Sequence, residues 1–255
     1  MAGVLVTGGT GMLGRQLVPL LVRRGHAVRL LTHRTAGAFE HVEAVRGDVR
    51  TGDWLDRAVR DVDVVVHAAS SPRRHARETE VRGTRNVLSA IGDSGVHLVY
   101  VSIVGVDRSR FPYYRAKWDA ERLVESSGAA WSIQRATQFH DLLDYVLGGP
   151  VFIRTPNLAF QVVDPGEVAA RLADLVDAGA SGRAPDFGGP EVLHVRELAR
   201  ARREIKGRAA RLVPLPRLGP LRDFDDGRHH CPDHRSGQLT WRQWLAASRG
   251  DATGA

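Results

Sequence analysis

Tyr113 and Lys117 are the pair of side chains that spacing places best for proton chemistry, in the run Tyr113-Tyr114-Arg115-Ala116-Lys117. Four residues apart on a helix, two side chains share one face. A phenol with an ordinary pKa of about 10 is a slow proton shuttle at neutral pH, and a neighbouring ammonium lowers that value. Pro112 suits a first helical turn, where the helix dipole also favours a phenolate. Lys117 can in addition hold ribose hydroxyls. Ser102, at the end of the apolar run 98–102, is placed to hydrogen-bond a carbonyl oxygen. A proton donor, a charge that tunes it and a hydroxyl that polarises a carbonyl together point to carbonyl reduction.

The second chemical signal is Thr7-Gly8-Gly9-Thr10-Gly11-Met12-Leu13-Gly14, directly after the apolar run 4–6. A strand that enters a glycine-rich turn and then a helix makes a phosphate site, because the helix N-terminus offers unpaired N–H groups and a positive dipole end. Gly9, Gly11 and Gly14 satisfy G-x-G-x-x-G, the pattern of a dinucleotide-binding turn. Gly8, Thr10, Gly11, Met12, Leu13 and Gly14 are therefore expected to hold a pyrophosphate. About 20 residues past such a turn an acid marks NAD(H). Here the residues are Thr32-His33-Arg34, with no acid before Glu40. A guanidinium at Arg34 suits a 2′-phosphate, so NADP(H) is favoured over NAD(H). Asp48 and Val49 are placed for the adenine edge, and Ala68, Ala69 and Ser70 for the lining of the cofactor.

These residues need a scaffold that brings strand ends together. Strand-like runs at 4–7, 27–32, 42–46, 62–67, 98–102 and 131–135 alternate with helical patterns at 12–24, 54–60, 78–91 and 113–126. That alternation predicts an α/β fold, a Rossmann-like doubly wound parallel sheet. Pro19 is expected to kink the first helix. Past about residue 137 the alternation loosens, with helices expected at 167–178, 196–205 and 239–247 and short strands at 160–163 and 192–194. The expected organisation is a cofactor-binding core over 1–137, with later returns to about 195, and a small substrate-covering part over 138–255. Gln138, Phe139 and His140 follow the last core strand, where a substrate would sit.

Composition narrows the class. The 255 residues carry a net charge of +7, but lysine occurs only at Lys117 and Lys206 and the arginines are scattered. No basic arm interleaved with aromatics is present, so nucleic acid is not an expected partner. No run is long and apolar enough for a bilayer, no leader-like segment precedes the first strand, and Cys231 is the only cysteine. A cytoplasmic setting is expected. His229-His230-Cys231-Pro232-Asp233-His234 has ligand-type residues packed too closely for a full tetrahedral shell, so no metal is assigned.

These segments, with Gly47-Asp48-Val49, Val64-Val65-Val66-His67-Ala68-Ala69, Val81-Arg82-Gly83-Thr84-Arg85-Asn86, Tyr100 to Asp107 and Ile133 to Phe139, resemble the short-chain dehydrogenase/reductase superfamily. The similarity is greatest to its atypical, NmrA-like NAD(P)-binding branch and spans roughly residues 3 to 200. It implies that Ala136, Thr137 and Phe139 lie near the nicotinamide, with the chain after 138 over the substrate. Two positions depart from the family pattern. Ile103 stands where a second Ser is frequent, and Glu80 stands where Asn or Asp often precedes Val-x-Gly-Thr. The expected activity is NADPH-dependent hydride transfer to a small carbonyl or quinone. The alternative is a non-catalytic NADP(H)-binding redox sensor or assembly protein. Oligomeric state is not readable from the sequence.

Overall fold

Strands covered by helices on both faces read as unbroken apolar runs, and Val64-Val65-Val66-His67 is such a run, with all four residues buried. The computed structural model describes residues 1–33, 39–72, 74–217, 219 and 221–248. The chain opens β1 (Gly3–Thr7), α1 (Met12–Arg23), β2 (Ala27–Thr32), β3 (Glu43–Arg46), α2 (Leu55–Ala58), β4 (Val64–His67) and α3 (Gly83–Ile91). It continues β5 (His97–Ile103), α4 (Pro112–Glu125), β6 (Trp131–Ala136), β7 (Gln138–Phe139), α5 (His140–Leu147), β8 (Val151–Arg154) and β9 (Ala159–Val163). It closes α6 (Pro165–Ala178), β10 (Gly182–Arg183), β11 (Val192–His194), α7 (Val195–Lys206), β12 (Arg211–Pro214), α8 (Leu221–Asp225) and α9 (Trp241–Ala247).

Seven strands form one parallel sheet in the order β10-β6-β5-β4-β1-β2-β3. β1 pairs with β2 on one side and β4 on the other, Val6 lying opposite both Leu30 and Val66. The strand order therefore reverses beside β1, and the crevice at the carboxyl ends of β1 and β4 is the ligand position of a doubly wound sheet. The chain is an α/β protein with a Rossmann-like fold.

The chain divides into two compact units. The first comprises Met1–Ser102, Pro112–Gln134 and Val168–Ala184. Its core gathers Leu5, Leu31, Val65, Val87, Leu98, Tyr100, Ala120 and Ile133 between sheet and helices. α1 runs on through Pro19 and buries Leu13, Leu17, Val18 and Leu21 along one stripe. The second unit comprises Ile103–Phe111, Arg135–Glu167 and Pro185–Ala255. It holds a three-stranded sheet, β11-β9-β7, and a two-stranded one, β12-β8. Leu143, Leu147, Phe160, Leu198, Trp241 and Leu245 form its core.

Local rules account for the departures from expectation. The helix expected at 54–60 is the single turn α2, because Trp54 is left-handed at φ 64° and cannot join a helix. The pattern at 78–91 opens as a π-helical turn, Glu78–Arg82, before α3.

Candidate active site

Gly8 lies in the left-handed region at φ 72°, and an added Cβ would stand 2.6 Å from the backbone of Ala68 and Ala69. Only glycine fits there. The loop is thereby pressed against the end of β4, and Gly11 N–H donates to Gly8 O at 3.0 Å to close the turn. At Gly14 a Cβ would meet Gly9 Cα at 2.3 Å, so α1 packs directly on the loop. α1 has no side-chain cap and no acid in its first turn, which leaves its N–H groups to an external anion. This cradle fits a pyrophosphate. Met12 is exposed beside it, Thr10 is half-buried, and Leu13 is turned into the core.

A cavity of about 530 Å³ runs along β3 and the loop after it, lined by the strand residues Glu43 to Arg46 and by others that include His33, Asp48, Asp53, Trp54 and Arg57. Asp48 is held by Arg50 through both N–H and guanidinium, at 2.8 and 2.7 Å. Those bonds keep its carboxyl below the usual carboxylate range. Val49 is buried, and Asn86 Nδ2 donates to its carbonyl at 2.8 Å, which fixes the loop after β3. Trp54 is exposed, with the Arg57 guanidinium 5.7 Å from its ring centroid. Trp54 and Arg57 carry no motif and were not singled out in the sequence. Arg34, the expected 2′-phosphate ligand, lies outside the described residues.

Tyr113 and Lys117, both on α4, meet the chain that follows β4. Tyr113 Oη is 2.5 Å from Ser70 Oγ, and Ser70 Oγ donates to Glu80 Oε1 at 2.7 Å. Glu80 Oε2 takes the Lys117 ammonium at 2.9 Å, with Lys117 3% exposed and Glu80 fully buried. Lys117 also donates to Val101 O at 2.8 Å and stands 4.8 Å from the Tyr100 ring centroid. Burial opposes the charge on Lys117, but Glu80 and Tyr100 hold its pKa above the ordinary lysine value. Burial pushes Tyr113 up, and the Glu80 carboxylate pushes it further. The sequence expectation was that Lys117 lowers the Tyr113 pKa. The structure differs because the ammonium is neutralised by Glu80, a residue the sequence marked only as a departure from a motif.

Ser102 is buried at the end of β5, and its Oγ has no hydrogen-bond partner. A buried hydroxyl left unpaired is costly, so Ser102 carries an unmet hydrogen-bonding capacity. Beneath it on the neighbouring strand, His67 Nδ1 bonds Thr7 Oγ1 at 2.7 Å, and burial brings the His67 pKa down to about 3. Ala68 and Ala69 are half-buried.

The remaining sequence candidates belong to the second unit. Ala136 and Thr137 are buried, and Thr137 Oγ1 accepts from Gly189 N–H at 3.3 Å. Gln138 is buried and Phe139 half-buried. His140 is fully buried, stacked on Trp241 and Trp244 at centroid distances of 5.8 and 5.4 Å. Burial lowers its pKa to about 4, so it is a neutral ring in the packed interior. His229 and His230 each place Nε2 on Ala159 O, at 2.9 and 3.0 Å, and burial pushes the Cys231 thiol up to about 12. Among the described residues no group of three or more His, Cys, Asp or Glu side chains could hold a metal, and no helix is long and apolar enough to cross a membrane.

A family model described as NAD(P)H-binding matches residues 8–177. The chain is 32% identical over 224 residues to (4-alkanoyl-5-oxo-2,5-dihydrofuran-3-yl)methyl phosphate reductase of Streptomyces griseus, covering 83% of this chain and 77% of the relative. It is 27% identical over 249 residues to a 3 beta-hydroxysteroid dehydrogenase/Delta 5→4-isomerase of Mycobacterium tuberculosis, covering 77% of this chain and 67% of the relative. Among solved structures, the NADPH-dependent quinone oxidoreductase of Escherichia coli complexed with NADPH superposes with a TM-score of 0.79 at 17% identity, over 96% of this chain and 99% of that one. The Thermus thermophilus UDP-glucose 4-epimerase complex with NAD gives 0.76 at 22% identity, over 99% of both chains.

Proposed function

Because the chain belongs to the NAD(P)H-binding family, with reductases and dehydrogenases among its relatives, we propose that it is an NADPH-dependent reductase of a small, largely apolar carbonyl compound or quinone. The nicotinamide dinucleotide supplies the hydride when bound. The loop from Gly8 to Gly14 holds its pyrophosphate, with N–H groups of α1 facing the anion. The cavity beside Asp48 and Trp54 takes the adenosine end, and Arg34 with His33 selects the 2′-phosphate. Tyr113 gives its proton to the developing alkoxide, which is the stronger base. Ser102 donates to the same oxygen and orients it. Lys117 fixes Glu80, and through it the hydrogen bonds that aim Ser70 and Tyr113.

The observation that carries this reading is the chain Tyr113–Ser70–Glu80–Lys117 beside the glycine cradle. Tyr113→Phe is expected to lower kcat by roughly 100-fold or more while leaving NADPH affinity intact. Unchanged turnover in that variant overturns the assignment. A second reading, a non-catalytic NADP(H) sensor, is favoured by one feature: the Lys117 charge is already committed to Glu80. It requires unequal affinities for NADP+ and NADPH with no reduction of any carbonyl.

A further inference from the structure

The Ser70 hydroxyl sits between two groups that both want its proton. A hydroxyl has one proton to donate and two lone pairs. Glu80 is buried and paired with Lys117, so its carboxylate can only accept, and Ser70 Oγ donates to it at 2.7 Å. The contact between Ser70 Oγ and Tyr113 Oη at 2.5 Å must then be filled by the phenol proton. A phenolate at Tyr113 would face lone pairs. The only relief is for Ser70 to turn its proton away from Glu80, which leaves Oε1 with the Ser71 N–H at 3.3 Å.

We propose that Glu80 is a positioning residue that holds Tyr113 in its acid form by keeping the single Ser70 proton on its own carboxylate. The proposal rests on the reductase reading, and it adds a direction to it. At neutral pH the tyrosine stays loaded as a proton donor, so reduction is favoured. The reverse reaction, oxidation of an alcohol, needs the phenolate as base and rises only in alkali. In the forward step the Tyr113 O–H bond breaks, the proton joins the substrate oxygen, and the phenolate takes a replacement from water beside the exposed Ser70.

Among the described residues of this unit, the titratable and charged neighbours on β4, β5 and α4 fit that assignment. On β5, the Tyr100 hydroxyl lies 3.5 Å from Glu80 Oε2. On β4, His67 is buried and neutral at any pH above about 3. On α4, Lys117 faces Glu80, and the Tyr114 ring stands 6.3 Å from that of Tyr113. The phenol pKa is raised by burial first and by Glu80 second, while the Ser70 contact acts in the opposite direction and lowers it; Ser70 can give that help only to the extent that its proton leaves Glu80.

The test is a spectrophotometric titration of tyrosinate in the purified protein, without substrate, in wild type, Glu80→Gln and Glu80→Gln/Tyr113→Phe. In Glu80→Gln one tyrosine is expected to ionise about one pH unit or more below its wild-type value, and that step should vanish when Tyr113 is also removed. In a Ser70→Ala background the effect of Glu80→Gln should largely disappear, because the competition runs through that hydroxyl. An unmoved Tyr113 titration, or an equal shift without Ser70, overturns the proposal. Glu80→Gln/Lys117→Met leaves no unpaired buried charge and keeps the test available if the single variant does not fold. A shifted titration with no carbonyl ever reduced upholds the proton competition and overturns the reductase reading. Active reduction with no shift does the reverse.

Discussion

Replacing Gly8 by alanine forces two costs onto one methyl group. The residue sits at φ 72°, where an L side chain costs about 1–2 kcal/mol. Its Cβ would also lie 2.6 Å from the Ala68 carbonyl carbon and oxygen and the Ala69 nitrogen. These are backbone atoms of the segment after β4 and cannot swing aside, so overpacking adds about 1–3 kcal/mol. The smaller unfolded-state entropy of alanine offsets about 0.4–1 kcal/mol. The net expectation is a loss of about 1–5 kcal/mol, a large part of the roughly 5–15 kcal/mol that holds such a fold. Urea unfolding followed by tryptophan fluorescence reads this loss directly, and NADPH titration reads the cradle. Gly11→Ala is the control: its φ is −78° and its only close neighbour is Gly8 O at 3.2 Å. That variant should keep its stability to within about 0.5 kcal/mol yet bind NADPH at least about tenfold more weakly. If Gly8→Ala unfolds and binds like wild type, the tight turn against β4 is wrong.

Other perturbations test separate parts of the structure. Glu80→Leu should destabilise the protein by about 3–5 kcal/mol, because it strands the Lys117 charge in the interior; Glu80→Leu/Lys117→Met should recover most of that in the same unfolding assay. His67, His140 and His229 have pKa values lowered by burial to about 3, 4 and 3, so each is neutral when folded and takes a proton on unfolding below about pH 6.5. Stability should therefore be full above that pH and fall as pH drops toward 4, by about 1.4 kcal/mol per pH unit per histidine, and His67→Gln should flatten the slope of urea midpoint against pH. Trp54→Ala, which opens the cavity along β3, should weaken NADPH binding more than binding of reduced nicotinamide mononucleotide; equal losses would move the adenosine elsewhere.

The sheet was legible because it obeys a two-part rule: apolar runs such as 64–67 pair in parallel, and amphipathic stretches such as 12–23 cover them. The glycine motif was legible for the same reason, since Gly8 and Gly14 are required by backbone contact and leave their mark as residue types. Elements that depend on tertiary context were not. Nothing in the sequence marks Trp54 as left-handed, and nothing separates the π turn at Glu78–Arg82 from the helix it opens. Past residue 137, β8 and β12 pair with no other strand among the described residues, and α5 buries His140 in a place a histidine rarely announces. In the site, spacing finds Tyr113 and Lys117 on one helix. It does not say that the ammonium is claimed by Glu80, thirty-seven residues away, because that pairing is made by the packing of α4 against the turn before α3. An acid inside an otherwise amphipathic helical pattern was the available signal.

The most direct test of the central claim is transfer of deuterium from NADPH labelled at nicotinamide C4 to a panel of small ketones, enones and quinones, with the product carbon examined by mass spectrometry. The account expects deuterium on carbon in the reduced ketone or enone, or NADPH consumption coupled to hydroquinone formation, with wild-type protein, and a loss of roughly 100-fold or more in rate with Tyr113→Phe. Tight NADPH binding with no deuterium transferred to any ketone or enone and no hydroquinone formed would contradict it.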